Sequence, residues 1–145
     1  MIIWKAKDCG FCDLETLLRS GGDALVLELE THAYDLIHAG LIFEYLDWAA
    51  LLPRIARALK PSGVLSVVLQ TPSASSPAVT ETTFTSLRSL ASAFRFVDAE
   101  ALVTAARVGG LALDTRRIEP LPAGKSFDVL RFTKNADSTC TARRT

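Results

Sequence analysis

Three side chains capable of acid–base or packing roles follow an apolar segment in the middle of the chain. His38, Glu44 and Tyr45 come at or soon after the end of the segment Tyr34–Gly40, which reads as a buried strand. Open α/β sheets bind their ligands at the carboxyl ends of strands, so His38 could act as a base or contact a ligand. Each residue also has an ordinary structural explanation: a polar group satisfied in a loop, a solvated charge and a packing aromatic. The spacing predicts a ligand site without specifying its reaction.

A second pattern that could carry chemistry is Cys9-Gly10-Phe11-Cys12, which follows a short apolar stretch and precedes a helix pattern capped by Asp13. Strand, Cys-x-x-Cys and helix in this order resemble the active site of glutaredoxins and thioredoxins, in which the helix N-terminus stabilises the first thiolate. The rest of the sequence lacks a pattern for the cis-proline and hairpin of those folds. Thiol–disulfide exchange therefore stands as an alternative beside a plain turn.

Composition excludes several classes of protein. The 145 residues predict one domain, and 16 Lys and Arg against 16 Asp and Glu leave no basic surplus for nucleic acid. The sequence has no apolar run of about 18 residues and no signal-peptide pattern at its start, which predicts a cytoplasmic protein without a membrane partner. Three cysteines, with Cys140 in a polar tail, make a poor disulfide framework. His32 and His38 complete no zinc-finger spacing, so no metal is predicted.

The middle of the chain predicts one strand–helix–strand unit. After the strand Tyr34–Gly40, Asp47 caps a helix over 48–59 that carries an apolar stripe. The segment 60–63 breaks this helix, and the nearly all-apolar residues 64–70 predict a strand covered on both faces. Such a unit is right-handed and places its two strands parallel.

The flanking segments predict further elements and set the domain boundaries. The patterns indicate strands at 2–6, 24–30, 111–119 and 127–134, and helices at 13–19, 84–94 and 99–108. Asp98 caps the last helix, and the short connection 120–125 predicts an antiparallel hairpin. The Pro-, Ser- and Ala-rich residues 71–80 predict a loop. We expect a single domain over residues 1–134 and a polar tail over 135–145.

Two motifs border the central unit: Asp-Leu-Ile at 35–37 and Leu-Lys-Pro-Ser-Gly at 59–63, with a later Gly-Gly at 109–110 before the hairpin. Their order resembles the C-terminal half of a class I S-adenosylmethionine-dependent methyltransferase, whose helix typically ends in Leu-Lys-Pro-Gly-Gly. Ser62 here replaces the first glycine. The resemblance covers about residues 34–132. It implies an α/β, Rossmann-like fold with a mostly parallel sheet and a C-terminal antiparallel hairpin.

The same resemblance implies S-adenosylmethionine as cofactor and a small-molecule methyl acceptor that the sequence does not identify. The cofactor-binding residues that it implies are Gly10, Glu28, His38, Ala39 and Glu44. In this register Gly10 is what remains of a glycine-rich loop, and Glu28 or Glu30 is the acid that holds the ribose hydroxyls. In a second register, residues 12–15 correspond to the acidic stretch that often precedes the Asp-Leu-Ile strand.

The N-terminal part departs from the family, because only 33 residues precede Tyr34. Four residues, 31–34, join the predicted strand 24–30 to the next one, whereas a parallel crossover needs about a dozen. We therefore expect a fold truncated at its N-terminal side, in which these two strands are antiparallel or one is not a strand. The predicted function is a methyltransferase-like protein with a truncated or degenerate cofactor half. The alternative is a non-catalytic remnant that binds a partner or forms a homodimer through an exposed sheet edge.

Overall fold

The computed structural model describes residues 2–4, 28–73 and 91–136. The strands and helices within these ranges are β1 (Ile2–Trp4), β2 (Tyr34–Gly40), α1 (Trp48–Ala58), β3 (Leu59–Gln70), α2 (Ala99–Val108), β4 (Leu111–Pro120) and β5 (Ser126–Lys134). The strands form one sheet in the order β1-β2-β3-β5-β4. No helix in these ranges is long and apolar enough to cross a membrane.

The sheet is mixed rather than mostly parallel. Of the four strand pairings that involve described residues, β2–β3 is parallel, whereas β1–β2, β3–β5 and β4–β5 are antiparallel. The prediction of a mostly parallel sheet is therefore wrong for the described residues, because β1 runs against β2 and the final hairpin places β5 beside β3. The α/β class, the parallel strand–helix–strand unit and the C-terminal antiparallel hairpin are confirmed.

Helix α1 begins where its sequence predicts and ends one residue earlier, because Leu59 already belongs to β3. The Asp47 carboxylate accepts a hydrogen bond from the main-chain N–H of Ala50 at 3.1 Å, which satisfies one of the free donors of the first turn. Leu51, Leu52 and Ile55 are buried at the spacing of one helical face. Pro53 lies on the exposed face, where its ring meets solvent. The helix thus lies over the sheet and makes the crossover between β2 and β3.

Only one face of the central strands is fully buried. Leu65, Val67 and Leu69 of β3 lie in the core, whereas the residues between them are half-buried. This alternation replaces the predicted strand covered on both faces, because in the described part of the chain both helices pack on the same side. The core also includes Ile37 of β2 and Phe132 of β5, both with no exposed surface.

The predicted break at 60–63 is an irregular start to β3. The strand already pairs with β2 at Leu59, and the register shifts between Tyr34 and Leu36. Ser62 takes a positive φ of 63°, which is the left-handed region. A side chain in that region is strained, and glycine is not.

Replacing Ser62 by glycine should therefore stabilise the protein by about 0.5–1 kcal/mol, since relief of the strain exceeds the added freedom of the unfolded chain. Urea unfolding of both proteins measures this change. As a matched control, Thr104→Gly in the exposed middle of α2 should lower stability by a similar amount. A loss of stability in Ser62→Gly would contradict the expectation.

Several predicted elements lie wholly or partly outside the described residues. The helix 13–19 and the motif Cys9-Gly10-Phe11-Cys12 lie outside them altogether. Of the strand predicted at 24–30, residues 28–30 are described and are not in a strand. Of the helix predicted at 84–94, residues 91–94 are described: 91–93 are helical and Phe94 is not. The predicted tail is described only at residues 135–136.

Candidate functional site

The carboxyl ends of the parallel strands β2 and β3 form one edge of the sheet, and the chain turns sharply there. Leu41, directly after β2, has a positive φ of 51°, and its N–H donates to the Val68 carbonyl at 3.0 Å. A leucine in the left-handed region is strained, and such strain concentrates at functional sites. We call this region the carboxyl edge, defined by Gly40, Leu41 and the end of β3 at Gln70.

His38 lies at the carboxyl edge, on the sheet face opposite the helices. Its Nδ1 forms a hydrogen bond of 3.1 Å with Ser66 Oγ, because the register of the parallel pair sets these residues side by side. Burial lowers the pKa of His38 from its ordinary value, so the imidazole is neutral at neutral pH. A Cβ on Gly40 would lie 2.7 Å from His38 Nε2. The ring therefore needs a glycine two residues later.

Glu44 is the most unusual acid of the described residues, since only 1% of it is exposed. Its Oε1 accepts the main-chain N–H of Gln70 at 2.7 Å, and its main-chain carbonyl accepts the N–H of Arg95 at 2.8 Å. Oε2 is buried without a hydrogen-bond partner. Burial raises the pKa of the Glu44 carboxyl above its ordinary value.

An aromatic cluster borders Glu44. The rings of Tyr45 and Phe94 meet edge to face with centroids 5.5 Å apart, and Phe94 meets Phe96 in the same way at 5.0 Å. Phe96 is 44% exposed. Tyr45 thus packs on other aromatic rings, which agrees with its interpretation as a packing aromatic in the sequence analysis. Phe94 and Phe96 are distant in sequence and gave no signal of this contact.

The structure places two of the residues implied by the resemblance toward the same end of the sheet and the other two described ones elsewhere. His38 and Glu44 both lie at the carboxyl edge, whereas the side chain of Ala39, between them in sequence, is fully buried on the helix side. Glu28 lies beyond the opposite end of β2, and the seven residues of that strand span roughly 20 Å. Gly10 lies outside the described residues.

Glu28 instead helps to line a cleft beside the end of α1. The cleft has a volume of about 430 Å³, and its other lining residues are Leu29, Glu30, Arg54 and Arg57. The N–H of His32 donates to the Arg57 carbonyl at 3.0 Å, which ties this segment to the helix end. The described residues therefore do not place Glu28 where it could bind the same ligand atoms as His38.

The described residues fit part of a nucleoside cofactor. Gly40 is exposed and has no side chain to keep a ligand from the backbone, and the neutral His38 ring can offer or accept a hydrogen bond. A carboxylate for sugar hydroxyls is not presented by the described part of this edge, because Glu44 is buried and Glu28 is remote. Within the same ranges, no three His, Cys, Asp or Glu side chains are grouped to hold a metal ion.

Solved structures that resemble this chain include a cyclase and several methyltransferases. The [4+2]-cyclase SpnF matches with a TM-score of 0.60 at 15% identity, over 81% of this chain and 55% of its own. Phosphoethanolamine N-methyltransferase 2 of Haemonchus contortus, solved with S-adenosyl-L-methionine, matches with a TM-score of 0.55 at 14% identity, over 78% and 36%. The 1,6-didemethyltoxoflavin-N1-methyltransferase of Burkholderia thailandensis, solved with S-adenosylhomocysteine, matches with a TM-score of 0.58 at 15% identity, over 77% of this chain and 48% of its own.

These matches establish the fold: the chain has the fold of class I S-adenosylmethionine-dependent methyltransferases, as its sequence motifs imply. The chain spans between about a third and about half of the length of these three proteins. No protein-family model and no curated protein matches the sequence.

Proposed function

We propose that the chain is a methyltransferase-like protein that binds S-adenosylmethionine at the carboxyl edge of β2 and β3. The observation that carries this proposal is the His38 ring held over Gly40, beside the turn at Leu41, on the edge where this class of sheet takes ligands. When bound, the cofactor supplies an electrophilic methyl group. His38 would contact the ligand through Nε2, while Ser66 holds Nδ1 and thereby fixes the ring.

Calorimetric titration with S-adenosylmethionine and with S-adenosylhomocysteine tests this proposal. We expect saturable binding with a dissociation constant in the micromolar range, about −8 kcal/mol. Binding would justify a screen for a small-molecule acceptor. An absence of binding up to about millimolar ligand would contradict the proposal.

Replacing Gly40 by alanine locates the site. The new Cβ displaces the His38 ring rather than backbone atoms, so we expect a dissociation constant raised about tenfold with little change in melting temperature. Gly109→Ala is the matched control, because its Cβ would meet its neighbours only at ordinary contact distances of 3.4 Å or more. Equal affinities for the two variants would place the ligand elsewhere.

A second candidate function is non-catalytic self-association, favoured by the exposed outer edge of the sheet. In the described part of the chain no strand pairs with the outer side of the ten-residue strand β4. Leu113 and Ile118 lie opposite Phe132 and Asp128 and so share the helix-side face, where they are 38% and 54% exposed. Two copies could pair these edges antiparallel and cover both residues.

Light scattering after gel filtration tests the second candidate. A homodimer should have twice the 15.7 kDa mass of the chain, and Ile118→Lys should return it to a monomer. A monomer at every concentration would rule out this candidate. Cys9 and Cys12 lie outside the described residues, so thiol–disulfide exchange stays a prediction.

A further inference from the structure

Glu44 joins three segments that are far apart in sequence. It lies in the loop 41–46 that follows β2, its Oε1 holds the end of β3 through the Gln70 N–H, and its carbonyl holds the segment before α2 through the Arg95 N–H. Thr71, the residue directly after β3, donates its N–H to the Ser126 carbonyl at 3.0 Å, so the start of β5 is bonded next to Gln70. We call Glu44, Gln70 and Arg95 the carboxyl clasp.

Among the described residues, no cation balances the charge of the Glu44 carboxylate. From its own loop, the groups that face the carboxyl are the Glu44 N–H, which favours the charged form, and the Tyr45 phenol, whose pKa is raised by burial and by the Glu44 charge. In the segment before α2, the Nη1 atom of the Arg95 guanidinium donates hydrogen bonds to the carbonyls of Ser92 and Phe94, at 3.0 and 2.7 Å. From β3, only a main-chain amide meets the carboxyl. Among the described residues, Glu44 thus has no ion-pair partner, although it is almost fully buried.

A buried carboxylate with one unpartnered oxygen is a strained arrangement, and a neutral carboxyl is a far cheaper one. Protonation removes the charge and leaves Oε1 free to accept the Gln70 N–H as before. Deprotonation favours exposure of the group to water, and exposure breaks the bond to Gln70.

We propose that Glu44 is a positioning residue of the carboxyl edge and works as a proton-dependent clasp. While protonated, it stays buried and holds loop 41–46, the end of β3 and the segment before α2 together. When it loses its proton it turns toward solvent, and the three segments separate. The effect on ligand affinity rests on the function proposed above, whereas the opening itself does not.

Amide hydrogen exchange of the full chain, followed by NMR, tests the opening. We expect the protection factors of the Gln70 and Arg95 amides to fall at least tenfold between pH 5.5 and pH 8.5. In Glu44→Gln, which is neutral at every pH and keeps an oxygen for Gln70, both factors should be independent of pH. The Ala33 amide, bonded to the Ala58 carbonyl at 2.9 Å at the opposite end of the sheet, is the internal control and should not change.

A second variant guards against a folding defect in the first. Glu44→Met is also neutral but cannot accept from Gln70, so its Gln70 amide should be poorly protected at every pH. If the protection factors of the Gln70 and Arg95 amides in the wild-type protein do not depend on pH, the proposal is overturned. The same fall in Glu44→Gln as in the wild type would overturn it equally.

Titration with S-adenosylmethionine separates the clasp from the proposed function. If the ligand binds, the wild-type dissociation constant should rise at least fivefold from pH 5.5 to pH 8.5, and that of Glu44→Gln should change less than twofold. Equal pH dependence in both proteins would contradict the role of Glu44 in positioning the site. If no ligand binds at any pH, the proposed function fails, and the exchange measurements still decide on the clasp.

Discussion

Replacing Arg116 by methionine should lower the free energy of unfolding by about 3 kcal/mol, the largest loss that we expect from a single polar side chain of this protein. Asp128 is 4% exposed and lies in β5, diagonally across from Arg116 of β4. The guanidinium donates from Nε to both carboxylate oxygens at 3.1 and 3.0 Å and from Nη2 to Oδ2 at 2.8 Å. Its Nη1 also binds Glu100 in the first turn of α2.

The loss arises because methionine leaves the Asp128 charge buried without its counter-ion. The hydrogen bonds to Asp128 and Glu100 raise the pKa of Arg116, so the guanidinium stays charged across the whole accessible pH range. One third of the Arg116 side chain is exposed, which keeps the expected loss at the lower end for broken buried pairs. Denaturant unfolding of the two proteins measures the difference.

The neighbouring residue provides the control. Arg117 points to the other face of β4 and pairs with Glu119, and these side chains are 71% and 45% exposed. Arg117→Met should therefore change stability by about 0.5 kcal/mol or less. Adding Asp128→Leu to Arg116→Met should recover much of the loss, since it removes the unpaired charge. Similar losses from Arg116→Met and Arg117→Met would show that burial of Asp128 does not govern the effect.

The sequence predicted the local elements that carry their own signals. Asp47 and Asp98 mark the starts of α1 and α2, and Gly109-Gly110 marks the end of α2. The motif order also predicted the parallel pair β2–β3 and the final hairpin, because short connections leave few topologies open. The relative directions of the strands were predicted less accurately. The antiparallel pairing of β1 with β2 depends on contacts between segments that are distant in sequence.

The site shows the same division between local and distant information. His38 follows from its place at the end of an apolar strand, but its partner Ser66 is 28 residues away and is set by strand register. Glu44 was predicted as a site residue, yet nothing local in the sequence shows that it is buried. Gln70 and Arg95, which hold it, gave no signal because they act through main-chain amides. Such contacts are independent of residue type and so cannot be predicted from residue identity.

Replacing Glu44 by glutamine should make the protein more stable than the wild type at pH 8, by on the order of 2 kcal/mol, and change its stability little at pH 4. Burial raises the pKa of Glu44 in the folded protein above its value in the unfolded chain. Such a group stabilises the fold fully below the unfolded pKa and loses this contribution as the pH rises through the folded pKa. The wild-type stability should therefore decline toward alkaline pH relative to that of the variant.

Unfolding in denaturant at pH 4, 6 and 8 measures this difference for the two proteins side by side. Comparing them at each pH removes the contribution of every other titrating group, because those groups are common to both chains. Glu119→Gln, at a side chain that is 45% exposed, is the matched control and should follow the wild type at all three values. A constant difference between wild type and Glu44→Gln would mean that the pKa of Glu44 is the same in the folded and the unfolded protein. The opposite slope would mean that the Gln70 amide stabilises the carboxylate more than burial destabilises it.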